Sequence, residues 1–190
     1  MKSMKIISVV DLVGSTELAG TDMGVSHLPK LLEASLSAAK DELLLLDFSG
    51  ANATASYLSQ SVVKLLRMAN AGELDRFFVF VGLNKHTKDD LEIVLRLQKM
   101  PALTVDFLSD LKNPRGPLVI GHLEPLYREL LDRVSAVSGT SAEELMEGAQ
   151  DESIQKTAWL NRLAYLASQR LIRREKRARE LFFKPVYMED

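Results

Sequence analysis

Apolar and polar positions follow two rhythms along this chain, and the rhythm changes near residue 110. Upstream of that point, Met4 to Leu12 and Ala102 to Leu108 read as strands, and Asp41 to Phe48 and Phe77 to Leu83 carry short continuous apolar runs. Runs of this length without a polar face read as strands buried on both sides. Between them the spacing is helical. Leu28, Leu31, Leu32, Leu36 and Ala39 share one face over 24–39, and Leu58, Val62, Leu65, Leu66 and Ala69 share one over 54–70. Thr87 and Asp90 stand at capping distance ahead of Leu91, Val94 and Leu95, and Pro101 closes that helix. Strands alternating with helices predict the α/β class, a parallel sheet covered by helices.

The stretch Ser109-Asp-Leu-Lys-Asn-Pro-Arg-Gly-Pro117 reads as a linker, because prolines and glycine break both periods. After it the alternation stops. Leu118 to Leu123 predicts one more short strand. Pro125 suits the first position of a helix whose apolar face is Leu126, Leu130, Leu131 and Val134. Thr140-Ser-Ala-Glu143 predicts a capping box for a short helix through Met146. A longer helix follows from Ser153, with Ile154, Trp159 or Ala158, Leu163 and Leu166 inward. Leu171-Ile172, a charged tip and an apolar run closed by Pro185 complete the order helix, strand, basic turn, strand. The expected organisation is two domains, 1–110 and 118–190.

Composition narrows the chemistry. The chain has 190 residues, 46% of them hydrophobic and 26% charged, enough apolar material for a packed core. It has no cysteine, which excludes disulfides, thiol nucleophiles and cysteine-ligated metal. No apolar run has membrane-spanning length, and the start is too soon interrupted by Asp11 for a signal sequence. A cytoplasmic protein without a membrane partner is expected. The net charge of −2 hides an asymmetry: residues 153–190 carry nine Lys/Arg against four Asp/Glu, net +5, and the rest carries net −7. A basic end supplies phosphate attraction, and an acidic body limits nonspecific contact.

On the third C-terminal helix, Gln155, Lys156, Thr157, Asn161 and Arg162 lie off the apolar face. Asn, Gln and Arg suit bidentate base contacts, and Lys, Thr and Arg suit phosphates. Arg173, Arg174, Lys176, Arg177 and Arg179 crowd the charged tip. Together with Leu160, Leu163, Leu166, Leu171-Ile172-Arg173-Arg174 and Leu181-Phe182-Phe183-Lys-Pro-Val-Tyr187, this segment resembles the winged-helix domains of bacterial transcription regulators over roughly 125–187. The resemblance implies duplex DNA as partner, those ten polar and basic residues as the DNA-binding set, and a homodimer reading paired half-sites. Arg170 stands where those domains carry glycine, and about three extra residues separate Leu166 from Leu171. Either the third helix runs a turn longer, or the wing is a continuing basic helix. A basic helical tail that dimerises or packs on the first domain is the other reading of the segment.

The stretch Leu43-Leu-Leu-Leu-Asp-Phe-Ser-Gly-Ala-Asn-Ala-Thr-Ala-Ser56 is a buried strand followed by a small-residue loop that opens a helix. Such loops lie at the carboxyl ends of parallel strands, where open α/β sheets present their sites. The segment resembles the STAS-like variants of the STAS domain of anti-sigma-factor antagonists. The resemblance implies a regulatory protein or kinase as partner, with Ser56 and neighbouring Thr54 as the phosphorylation or partner site. Ala55-Ser56-Tyr57-Leu58 replaces the usual Asp-Ser-Ser-Gly. The local reading of the same hydroxyls is helix capping and turn formation.

Asp11-Leu-Val-Gly-Ser-Thr16 resembles the opening metal-binding segment of class III nucleotide cyclases, but a second carboxylate hairpin is lacking. His27, His86 and His122 are scattered, and no Walker, G-x-G-x-x-G or G-x-S-x-G motif occurs. No catalytic residue, metal ligand or cofactor is therefore assigned. The expectation is a non-enzymatic regulator that binds DNA and senses through a STAS-like domain. Two alternatives remain: a protein–protein switch without DNA binding, and more remotely a nucleotide-processing enzyme built on Asp11.

Overall fold

The computed structural model describes residues 4–112, 116–137, 139–147, 155–177 and 180–187. Four apolar runs form parallel strands in chain order: β1 (Met4–Ser8), β3 (Leu43–Asp47), β5 (Phe77–Val81) and β6 (Pro101–Val105). A fifth strand, β7 (Leu118–Gly121), joins the same sheet antiparallel to β6. Two-residue strands β2 (Glu17–Leu18) and β4 (Asn52–Ala53) pair with each other outside it. The expected mixed α/β class with a mainly parallel sheet is therefore present.

Chain-order strands have a consequence for layering. Right-handed crossovers that step along a sheet in one direction must all fall on one face. The helices α1 (Val9–Val13), α2 (Thr21–Leu36), α3 (Ala55–Gln60), α4 (Val62–Asn70) and α5 (Lys85–Leu97) do so. Their apolar residues, among them Leu31, Tyr57, Leu65 and Leu91, pack on Ile7, Leu44, Leu46, Phe78 and Phe80. The strands have two apolar faces, so the other face needs its own cover.

The C-terminal half supplies that cover. It runs α6 (Pro125–Ser135), β8 (Thr140–Ser141), α7 (Ala142–Glu147), α8 (Lys156–Ser168), β9 (Ile172–Arg177) and β10 (Glu180–Pro185). The three strands form a separate antiparallel sheet in the order β8-β10-β9. Leu130, Leu131, Val134, Trp159, Leu163, Leu166, Ile172 and Phe183 share one core with Leu43, Leu45, Phe77, Val79, Leu103 and Val105. The alternate residues of the central strands thus belong to two different cores. Among the described residues no helix is long and apolar enough to cross a membrane.

Several local expectations are corrected. The first strand ends at Ser8, not at residue 12. Ser8 accepts a hydrogen bond from the Asp11 amide and starts α1, and Gly14 in the left-handed region closes it. The helix expected over 54–70 is broken at Ser61, whose hydroxyl bonds back to the Tyr57 carbonyl at 2.8 Å. Gly24 lets α2 approach this region, because a Cβ there would lie 2.6 Å from the Tyr57 carbonyl oxygen. Tyr57 is fully buried, which pushes its phenol up to about 12, and its hydroxyl meets His27 Nδ1 at 3.3 Å. Asn84 rather than Thr87 caps α5, accepting from the Thr87 amide at 2.9 Å. Thr87 and Asp90 instead accept from the Ala53 and Ala55 amides, tying α5 to the start of α3.

The capping box near residue 140 lies one residue later than the spacing suggested. Ser141 Oγ accepts from the Glu144 amide at 3.2 Å, and the Glu144 carboxylate accepts from the Ser141 amide at 2.7 Å. Thr140 is drawn into β8 opposite Phe183, where its hydroxyl bonds to the Ser141 carbonyl. Ser141→Ala is expected to lower stability by about 1 kcal/mol. A shift in the urea midpoint measures it, and an unchanged midpoint would refute the cap.

Candidate nucleic-acid interface

The exposed polar face of α8 and the β9–β10 hairpin are built by the second core. Trp159, Leu163 and Leu166 point inward from α8 and fix its rotation. That leaves Gln155, Lys156, Thr157 and Asn161 exposed and Arg162 half-buried. The Arg162 guanidinium lies 5.7 Å from the Trp159 ring centroid, and Arg133 of α6 lies 5.9 Å from the same ring. The indole therefore holds Arg162 beside the helix rather than extended. Lys156 Nζ pairs with Glu143 of α7. Ile154, expected inward on this helix, and Arg179, expected at the wing tip, lie outside the described residues.

The end of α8 resolves the two alternatives for the segment after it. The helix stops at Ser168, and β9 begins at Ile172, so the basic run is a strand and not a continuing helix. The stop is a Schellman motif: the Leu171 amide bonds to the Leu166 carbonyl at 3.1 Å, and the Arg170 amide to the Ala167 carbonyl at 3.1 Å. Arg170 occupies the left-handed position, with φ +56°. A non-glycine residue there costs about 1–2 kcal/mol. The Arg170 side chain offsets this by reaching the α/β body. It donates to the carbonyls of Ala69 and Leu74 and pairs with Asp75 at 3.3 Å.

The four candidate cations of the hairpin among the described residues, Arg173, Arg174, Lys176 and Arg177, separate sharply. Arg174, Lys176 and Arg177 are all exposed. Arg177 packs over the Phe182 ring at 3.8 Å and lies 3.7 Å from Glu175. Arg173 does not join them. It is only 4% exposed and lies 4.3 Å from the Phe77 ring centroid. It donates to the Val186 carbonyl at 3.2 Å and to the Asp41 carbonyl at 2.5 Å. Strand alternation is the reason: Arg173 and Arg174 point to opposite faces of β9, one toward the central sheet and one toward solvent. Arg173 is thus a bracket between the two halves of the chain and no part of an exposed DNA-binding face.

A groove of about 320 Å³ runs between α8–β9 and the edge of the body, lined by Asp41, Asp75, Ala164, Ser168, Arg170 and Arg174 among others. Arg174 therefore flanks the open side of α8. Two carboxylates flank it from the body. Asp75 is paired with Arg170, and Arg174 is exposed on the same side, so the groove carries charges of both signs.

At the carboxyl ends of the parallel strands, the loop after β3 is held by its own polar groups. Asp47 accepts from the Ser49 amide at 2.9 Å, and Asn84 donates to Ala51 and Asn52. Thr54 is the N-cap of α3, accepting from Tyr57, and it also accepts from the Gly20 amide at 3.3 Å. Ser56 is exposed, with its hydroxyl 3.1 Å from that of Thr54. Thr54 thus performs the local capping role, while Ser56 stays open to solvent. Asp11 sits inside the short helix α1. Among the described residues no group of three or more His, Asp or Glu side chains is placed to hold a metal ion.

Sequence reasoning missed the docking role of Arg170 and Arg173, which tie the C-terminal half to the α/β body. Only Arg170 carried a signal, as the residue standing in a glycine position. No protein-family model matches this chain, and no curated protein or solved structure matches it.

Proposed function

We propose that this chain is a DNA-binding regulator, in which the C-terminal half is a winged helix and the α/β body is a STAS-like domain that receives a protein or small-molecule signal. One observation carries the reading: the order α6, β8, α7, α8, β9, β10 closes into a β8-β10-β9 sheet with α8 presented beside the hairpin. That is the connectivity a winged helix uses to lay its third helix in the major groove and its hairpin along the backbone. Thr157, Asn161 and Gln155 face solvent from the first turns of α8, where base edges are read. Among the described residues Arg174 and Lys176 have no acidic or hydrogen-bonding partner, so their charge is available to phosphates. The nearby acidic groups are engaged locally, Glu143 by Lys156 and Glu175 by Lys184.

Fluorescence anisotropy of the full chain against random duplex DNA, titrated in salt, tests this reading. Arg174→Ala, Lys176→Ala and Arg177→Ala combined are expected to weaken binding to every duplex. They are also expected to flatten the salt slope by about 0.9 for each phosphate no longer neutralised. Asn161→Ala is expected to change sequence preference instead. No salt-dependent binding by the wild-type chain would overturn the reading and leave the basic face to an acidic protein.

A further inference from the structure

The two edges of the central sheet are treated differently. At the β7 edge, the Gly121 amide donates to Glu92 at 2.5 Å, and the Val119 carbonyl accepts from Arg128 at 3.5 Å. Alternate backbone groups of that edge are thus occupied by charged side chains, a common protection against strand addition. At the β1 edge nothing among the described residues pairs with the outer side of Met4–Ser8. Its one charge, Lys5, is withdrawn: Nζ donates to the Ala34 carbonyl and to Ser37 Oγ at 2.7 Å on the helical face.

The side chains at this edge are also misplaced for a solvated strand. Met4 and Ile6 are 49% and 48% exposed. They lie in register with Leu43 and Leu45, which are core residues of the second face. The C-terminal cover therefore stops one strand short and leaves an apolar row beside an open row of amides and carbonyls.

We infer that β1 pairs with β1 of a second copy, antiparallel about a two-fold axis at Ile6, joining two five-stranded sheets into one. Another extended strand satisfies the open row of amides and carbonyls in register, and a two-fold operation lets one surface complement itself. The side chains select the register. Centring on Ile6 sets Ile6 against Ile6, Met4 against Ser8 and Lys5 against Ile7. Centring on Lys5 would oppose two ammonium groups, which is destabilising. With Ile6 at the centre, both Met4–Ile6 rows meet on the same uncovered face and close it. This pairing does not depend on the DNA-binding reading.

The absence of cysteine makes a direct test available. Residues paired across antiparallel strands have Cα atoms about 4.5–5.5 Å apart, within disulfide range. Under mild oxidation, the full chain carrying Ile6→Cys is expected to form a disulfide-linked dimer rapidly. A chain carrying Leu97→Cys, exposed on α5, is expected not to. By analytical ultracentrifugation the wild-type chain is expected at twice its 21.2 kDa, and Ile6→Lys at the single mass. The Ile6→Lys chain is expected to keep its cooperative thermal transition. Three results would each overturn the inference. One is a wild-type chain monomeric at micromolar concentration, which would leave the edge to a strand from another protein. The second is a dimer unaffected by Ile6→Lys. The third is equal cross-linking at positions 6 and 97.

Discussion

Residues 1–112 produced alone are expected to lose cooperative folding and to aggregate. Truncation there removes β7 from the sheet and strips the second face. Leu43, Leu45, Phe77, Val79, Val81, Leu103 and Val105 would then meet water instead of α6, α8 and the β9–β10 hairpin. Each such side chain contributes about 1.5–3 kcal/mol when buried. Together they amount to about 10–20 kcal/mol, as large as the whole margin of roughly 5–15 kcal/mol by which a domain is stable. Thermal melting followed by far-UV circular dichroism, together with binding of a dye for apolar surface, measures the effect. A monodisperse fragment with a sharp melt and no dye binding would show that the body completes its own core.

Neighbouring arginines are expected to behave as opposites. Arg173→Ala should lower stability by about 3 kcal/mol, because it removes charged hydrogen bonds and leaves buried carbonyls unsatisfied. The Asp41 and Val186 carbonyls lose their donor, and Phe77 loses the guanidinium over its ring. Arg174→Ala should change stability by no more than about 0.5 kcal/mol, as expected for a solvent-facing position. Its expected loss is several-fold in affinity for random duplex. Urea unfolding and anisotropy, run on both variants, separate the two roles. Equal stability of the two variants would refute the internal role of Arg173, and a larger affinity loss in a folded Arg173→Ala than in Arg174→Ala would reverse the assignment.

That pair also marks where sequence reasoning runs out. Both residues belong to one basic run, and the run alone does not say which face of β9 each takes. The answer depends on the register with β10, where Arg173 opposes Lys184 and Arg174 opposes Phe183. Helix caps show the same limit on a smaller scale. Several hydroxyl, amide and acidic residues compete near each helix start, and a one-residue choice separates Thr140 from Ser141, as a three-residue choice separates Asn84 from Thr87. Neighbouring elements decide it, as when β10 claims Thr140. Thr54 is a case where the local reading sufficed, since its hydroxyl caps α3 directly.

The sequence by itself determined the elements and the class. Unbroken apolar runs such as Leu43–Leu46 and Phe77–Val81 demand cover on both faces, and the intervening helical periods supply a parallel sheet. The basic C-terminal run and the helix–strand–strand order ahead of Pro185 were legible for the same reason: local periodicity is written in local residues. Only the tertiary structure decided what covers the second face, why Arg170 stands in a left-handed position, and which arginines reach solvent. Those outcomes depend on contacts between residues far apart in the chain, such as Arg170 with Asp75 and Arg173 with Asp41. A period along the sequence carries no information about which distant surface a side chain will meet.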